Sequence, residues 1–254
     1  MTAATLRETP LAGEVPRFEV PGWRERYGLI AGITGRGAGT GHGFDLGLWG
    51  TQPVGEVMRR WRALRQAESC LRATALGTQV HGDRVQWHEP GAVGWIQVDD
   101  VDGHATDRSG LMLTVTVADC IPVYLAAPTH GGLALLHAGW RGTAAGILTR
   151  GVETLASRLR CEPYELVMHC GVGICGGCYQ VGREVVEGLG QPADGDGPWN
   201  VDLRSVLAEQ ARRLGVTEIT VSDWCSSHDA AHFYSHRRSQ GGDGRMAAYL
   251  GAKP

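Results

Sequence analysis

Residues 111–142 read LMLTVTVADCIPVYLAAPTHGGLALLHAGWRG. In the first part Leu111, Leu113, Val115 and Val117 lie two apart, the period that puts side chains on one face of a strand. Two short apolar runs follow, residues 121–126 and 133–136, each bounded by Pro or Gly, and both are expected to be strands. Beyond HAGWRG, Ile147, Leu148, Val152, Leu155 and Leu159 recur at helical spacing, which predicts a helix over residues 144–159. Strands alternating with helices predict an α/β chain.

The same signals extend outward. Residues 54–68 read as an amphipathic helix with Val54, Val57, Trp61 and Leu64 on one face. Residues 166–170 and 219–222 read as strands, and residues 202–214 as a third helix with Asn200 or Asp202 as its cap. Residues 1–17 are polar and Pro-containing, so a loose lead-in or an edge element is expected there. A single domain over 18–254 follows, because no repeat, linker or shift of composition divides the rest. The glycine-rich stretch 31–50 lacks the Lys-Ser/Thr ending of a phosphate-binding P-loop and reads as a turn region.

Composition narrows the function. The chain of 254 residues is 43% hydrophobic and 20% charged, with a net charge of -3, which argues against nucleic acid as the main partner. Lys253 is the only lysine, so the remaining cations are arginines, whose planar forks suit phosphate and carboxylate. No apolar run reaches the roughly 18 residues of a membrane span. The N-terminus lacks the apolar core of a signal peptide. Seven cysteines, an odd number, fit a reduced cytoplasmic protein better than a disulfide scaffold.

Chemistry gathers where strands end: Thr78-Gln79-Val80-His81-Gly82, then Ala118-Asp119-Cys120, then His137 to Gly142. Strand ends converge at a sheet edge, so these segments can meet. Two imidazoles and one thiolate are good zinc ligands, and three protein ligands with a fourth position open is the pattern of a catalytic site. Each residue alone is also met in ordinary cores, where a Cys behaves as a small hydrophobe. Asp119 is a candidate general base, or the carboxylate that orients a metal-bound imidazole, and the second role is preferred. Cys175-Gly176-Gly177-Cys178 has the CxxC spacing, but Cys170 does not complete a two-knuckle pattern, and a structural turn is expected. Cys225, His228, His232 and His236 form another histidine–cysteine group, in a segment that reads as loop rather than as a second metal site.

TQVHG, ADC-I-PVYL, HAGWRGT, GVGICGGCYQVGREV and FYSHRRSQGGDGR together resemble the bacterial laccase-domain family, also described as multicopper polyphenol oxidases and as purine nucleoside phosphorylases. The resemblance runs from about Gly32 to Tyr249. It implies mixed β-sheets packed as a sandwich between flanking helices, and a metal held by His81, Cys120 and His137. It further implies one zinc per chain, with nucleoside and phosphate as small-molecule partners. The implied activity is purine nucleoside phosphorolysis on adenosine and inosine, with adenosine deamination beside it. Arg36, Arg141, Arg238 and Arg245 lie in matched segments and are the phosphate candidates. Two departures stand out. Asp45 occupies the place of a family Asn, and Gly171-Val172-Gly173-Ile174 lacks the family proline.

A copper-dependent, laccase-like oxidase is the alternative, since His and Cys also bind copper. Multicopper oxidases use paired H-x-H motifs, and no two of the ten histidines are separated by a single residue. A non-enzymatic binding module stapled by zinc is the remaining alternative. The sequence leaves the oligomeric state open.

Overall fold

The computed structural model describes residues 3–38, 43–89, 91 and 93–254; part of the glycine-rich stretch, residues 39–42, lies outside them. Strands β1 (Ala4–Leu6), β2 (Thr9–Leu11) and β3 (Arg17–Glu19) precede helix α1 (Trp23–Tyr27) and β4 (Leu29–Thr34). Helix α2 (Val54–Ala67) leads to β5 (Ala73–Gly77), β6 (Val85–Trp87), β7 (Gly94–Val98) and β8 (Gly103–Thr106). The central run is β9 (Leu111–Val117), β10 (Ile121–Ala127) and β11 (Gly132–Ala138), followed by α3 (Trp140–Ala145) and α4 (Ile147–Leu159). The last part holds β12 (Val167–Cys170), β13 (Gln180–Val181), α5 (Arg183–Gly188) and β14 (Trp199–Asn200). It ends with α6 (Leu203–Arg213), β15 (Glu218–Ser222), α7 (His236–Ser239) and β16 (Met246–Ala252).

Two seven-stranded mixed sheets carry the fold, in the orders β1-β15-β12-β10-β11-β8-β6 and β2-β3-β4-β16-β9-β5-β7. Their facing surfaces bury Leu111, Leu113, Val115 and Val117 of β9 against Tyr124, Ala126, Leu133 and Leu135. The alternation in β9 is therefore the inner face of one sheet. Ile121, Val123 and Leu125 of β10 point the other way, into a core shared with α4 and α6. On the far side α2 covers the second sheet through Val57, Trp61 and Leu64, and the Trp61 indole N–H donates to Leu46 O at 3.0 Å. Each such fully buried side chain contributes roughly 1.5–3 kcal/mol. The result is a helix–sheet–sheet–helix stack forming one domain.

Two expectations needed revision, and a third, left between a lead-in and an edge element, resolves to the edge element. Val54 starts α2 but is 63% exposed, and the buried face of the helix begins only at Val57. The helix expected over residues 144–159 is two helices, since Gly146, with φ 92°, adopts the left-handed conformation that terminates α3. Within residues 1–17, β1 and β2 add an edge strand to each sheet. Between them Glu8 is buried and accepts from Ser222 Oγ at 2.6 Å, and its other oxygen meets His169 Nε2 at 3.1 Å.

Candidate functional site

The crossing from one sheet to the other makes the site. β9 ends in one sheet, β10 begins in the other, and the turn between them is Ala118-Asp119-Cys120. Asp119 takes φ 91°, a strained value for a residue with a Cβ, and this turn presents Cys120 at the sheet ends. His137 lies in β11, opposite Pro122 in register. His81 sits in the turn after β5, also at positive φ (61°). The imidazole nitrogens of His81 and His137 and the thiol of Cys120 all fall within 4.8 Å of one another.

Asp102 organises both histidines. Its carboxylate accepts the backbone N–H groups of Val80, His81 and Gly82 at 3.1, 3.0 and 2.8 Å, which fixes the His81 turn. It also meets His137 Nδ1 at 2.8 Å, leaving Nε2 free to face Cys120. A carboxylate on one ring nitrogen, with the other turned toward a metal position, is how metal-binding imidazoles are usually held. Burial alone would raise the Asp102 pKa, but the His137 bond and the backbone N–H groups hold it below the ordinary range. Burial would likewise raise Cys120. The charge of His137 and hydrogen bonds from His137 and His81 instead bring it down to about 6. Burial would lower His137, but the Cys120 thiolate and Asp102 raise it to about 9. Without metal the two shifts both favour the thiolate–imidazolium form of the pair.

The donor set fits zinc: two imidazoles and an already acidic thiol. Gly139 shows how tightly it is enclosed, because a Cβ there would lie 2.9 Å from Cys120 Sγ and 3.0 Å from His81 Cδ2. A Cβ on Gly142 would lie 2.8 Å from Gly82 O, so HAGWRG needs both glycines to approach the His81 turn.

The three donors open into a cleft of about 590 Å³. Arg141, Arg237 and Arg245 line it, as do the aromatic rings of Trp49, Trp140 and Tyr179. Arg141 lies over the Trp140 ring at 4.4 Å, and Arg237 over Tyr179 at 5.0 Å. Asp45 keeps a polar role despite replacing an Asn: it accepts from the backbone N–H of Arg245 at 2.7 Å and of Gly47 at 2.8 Å.

The other sequence candidates fall differently. Asp119 lines the cleft but does not orient a histidine. Its carboxylate accepts from Ser226 Oγ and from the Arg237 backbone N–H, both at 2.6 Å, and Asp102 takes the orienting role instead. Arg238 is consumed by the carbonyls of Ser226, Ser227 and Phe233 and by Asp243. Arg36 donates to Ala230 O, stands 3.7 Å from Asp243 and lies over Tyr234. Neither Arg36 nor Arg238 lines the cleft, whereas Arg237, unselected from sequence, does. Its only sequence signal is its place in the matched His236-Arg237-Arg238 run. Asp102 gave none, being one acid among Asp99, Asp100 and Asp102. In the C-terminal histidine–cysteine group, His232 packs against Phe18 and Trp224, His236 lines the cleft, and Cys225 and His228 join Cys175 and Cys178. The CxxC is therefore more than a turn: those four residues also bring their donor atoms within 4.8 Å of one another and could hold a metal ion.

A chain that folds as two mixed sheets between helices, with this cleft at the sheet crossing, has known counterparts. It belongs to the family described as multi-copper polyphenol oxidoreductase laccase, whose sequence model matches residues 31–253. Among its relatives, the purine nucleoside phosphorylase YlmD of Geobacillus stearothermophilus is 33% identical over 249 residues, covering 89% of this chain and 91% of that protein. The purine nucleoside phosphorylase ORF3 of Streptomyces griseus is 32% identical over 210 residues, covering 80% and 84%. The crystal structure of Geobacillus stearothermophilus YlmD superposes with a TM-score of 0.85 at 29% identity, covering 97% of this chain and 100% of that one. That of the Bacillus licheniformis protein YfiH also gives 0.85, at 25% identity, covering 93% and 96%. No helix among the described residues is long and apolar enough to cross a membrane.

Proposed function

We propose that this protein is a zinc-dependent purine nucleoside phosphorylase, a transferase acting on adenosine and inosine, with adenosine deamination as a side activity. The observation that carries the reading is one cleft holding a His–Cys–His donor set beside arginines and aromatic rings. The relatives' names support it.

The chain's own groups divide the work. Arg141, Arg237 and Arg245 bind phosphate, since guanidinium forks match its oxygens. Trp49, Trp140 and Tyr179 supply flat apolar surface for a purine. In phosphorolysis a phosphate oxygen bonds to C1′ of the ribose as the C1′–N9 bond breaks, and the purine leaves with a proton. His81, Cys120 and His137 would hold the zinc, and Asp102 keeps His137 in the tautomer that binding requires. A zinc ion there supplies Lewis acidity at the substrate. Copper oxidase chemistry is not favoured, because the chain lacks the H-x-H pairs that a three-copper cluster uses.

Zinc-loaded protein incubated with inosine or adenosine should release free hypoxanthine or adenine and ribose 1-phosphate only when phosphate is present. Adenosine without phosphate should give a smaller yield of inosine. Phenol oxidation by copper-loaded protein, with no phosphate-dependent base release by the zinc form, would reverse the reading.

A further inference from the structure

The four residues of the second donor group take no part in the proposed reaction, and among them none lines the cleft. Cys175-x-x-Cys178 comes from the loop after β12, and Cys225-x-x-His228 from the loop after β15. The loops are joined by a parallel bridge between Gly173 and Cys225 and by the Ser226 N–H donating to Gly173 O at 2.9 Å. Two knuckles of two donors each, brought face to face from distant sequence, make the C-x-x-C and C-x-x-H pattern of a closed zinc site.

We propose that Cys175, Cys178, Cys225 and His228 bind a second zinc ion, distinct from the one in the cleft, with a structural role. Zn–S bonds of about 2.3 Å and Zn–N bonds of about 2.0 Å place tetrahedral ligand atoms roughly 3.5–3.8 Å apart. The four donors lie within 4.8 Å of one another, with Cys175 Sγ 3.7 Å and Cys178 Sγ 3.1 Å from ring nitrogens of His228. Cys175 faces Nδ1 and Cys178 faces Nε2, so closing the shell requires the His228 ring to turn one nitrogen toward both sulfurs. Cys225 Sγ also accepts the backbone N–H groups of Cys175 at 3.3 Å and His228 at 3.5 Å, as expected of a sulfur that carries negative charge. Three thiolates and an imidazole select zinc over magnesium or calcium. Binding changes no oxidation state, as the ion replaces protons on the thiols. With four protein donors no position is left for substrate, unlike the three-donor set of the cleft.

The position explains the role. Ile174, just before the first knuckle, donates its N–H to Asp119 O at 2.9 Å, and Tyr179, just after it, lines the cleft. Ser226, inside the second knuckle, donates to the Asp119 side chain. The ion would clamp both loops where they support the cleft wall.

Zinc counting on the full chain tests this without any activity assay, so its outcome is separate from that of the proposed reaction. Wild-type protein, zinc-loaded and dialysed, should carry two zinc ions per chain. His81→Ala/Cys120→Ala/His137→Ala should keep one, and Cys175→Ser/Cys178→Ser should also keep one. Cobalt loaded into the triple variant should give an intense near-ultraviolet thiolate charge-transfer band, which needs no second variant to fold. Loss of all zinc from the triple variant, two ions in the Cys175/Cys178 variant, or wild type isolated metal-free with a Cys175–Cys178 disulfide would overturn the proposal.

Discussion

Asp102→Asn removes one charge and leaves the shape nearly unchanged, and its effect follows from four hydrogen bonds. Oδ1 faces the His81 N–H and His137 Nδ1, and Oδ2 faces the N–H groups of Val80 and Gly82. Whichever way the amide is turned, its NH₂ must face two groups that acted as donors. Bonds to a charged acceptor contribute about 1.5–3 kcal/mol each. Losing two therefore costs about 3–6 kcal/mol, less whatever the His81 turn recovers by relaxing toward solvent. Unfolding in urea should show a large part of this loss in metal-free protein. Zinc affinity at the His81–Cys120–His137 site, measured by competition with a chromophoric chelator, should fall 10–100-fold. In the metal-free variant His137 should also titrate well below about 9, because Asp102 is one of the groups that raise it. Affinity within about threefold of wild type would show that Asp102 does not hold the histidines for a metal.

Two more outcomes separate roles that the sequence had grouped. In chelated protein Cys120 should be alkylated with a rate that rises through a midpoint near 6 and is flat above it, because the thiol ionises there rather than near 9; zinc-loaded protein should resist. Inactivation of zinc-loaded protein at Cys120 with its metal still bound would instead mark a nucleophilic cysteine. Arg141→Ala should raise the KM for phosphate at least tenfold with little change in thermal stability, whereas Arg238→Ala should lower the melting temperature, since its guanidinium holds three carbonyls and Asp243. Equal effects of the two substitutions on phosphate KM would refute the division.

Periodic residues made the fold legible. The two-residue repeat of β9 marks a sheet face that meets Tyr124 and Leu135 across the interior, and Asp202 caps α6 by accepting the Arg204 N–H at 3.0 Å. What escaped was set by conformations that periodicity does not encode. Gly146 lies inside the expected span 144–159 but just ahead of its first periodic residue, Ile147, and its left-handed backbone separates α3 from α4. Residues 4–6 and 9–11, expected as a lead-in or an edge element, have little apolar pattern because each is an edge strand, exposed at two of its three positions.

The candidate metal donors were legible because their residue types are rare and chemically specific. The groups that support them are common types whose roles depend on topology. Asp119 adjoins Cys120 in sequence, but its turn at φ 91° directs the carboxylate to Ser226 and Arg237. Asp102, 35 residues from His137, heads β8, the neighbour of β11, so the sheet delivers its carboxylate to Nδ1 while the His81 turn folds over it. Arg237 and Arg238 differ in the same way: the short helix α7 points one guanidinium toward Tyr179 at the cleft and buries the other's hydrogen bonds in its own loop. CGGC likewise depends on topology. Alone it is a turn with two thiols, and only the pairing of Gly173 with Cys225 brings the second knuckle to it. Sequence adjacency pointed to Asp119 as the orienting carboxylate, and of the four arginines in matched segments two, Arg141 and Arg245, line the cleft. The sheet order supplies Asp102 in place of Asp119, and the α7 turn brings in Arg237.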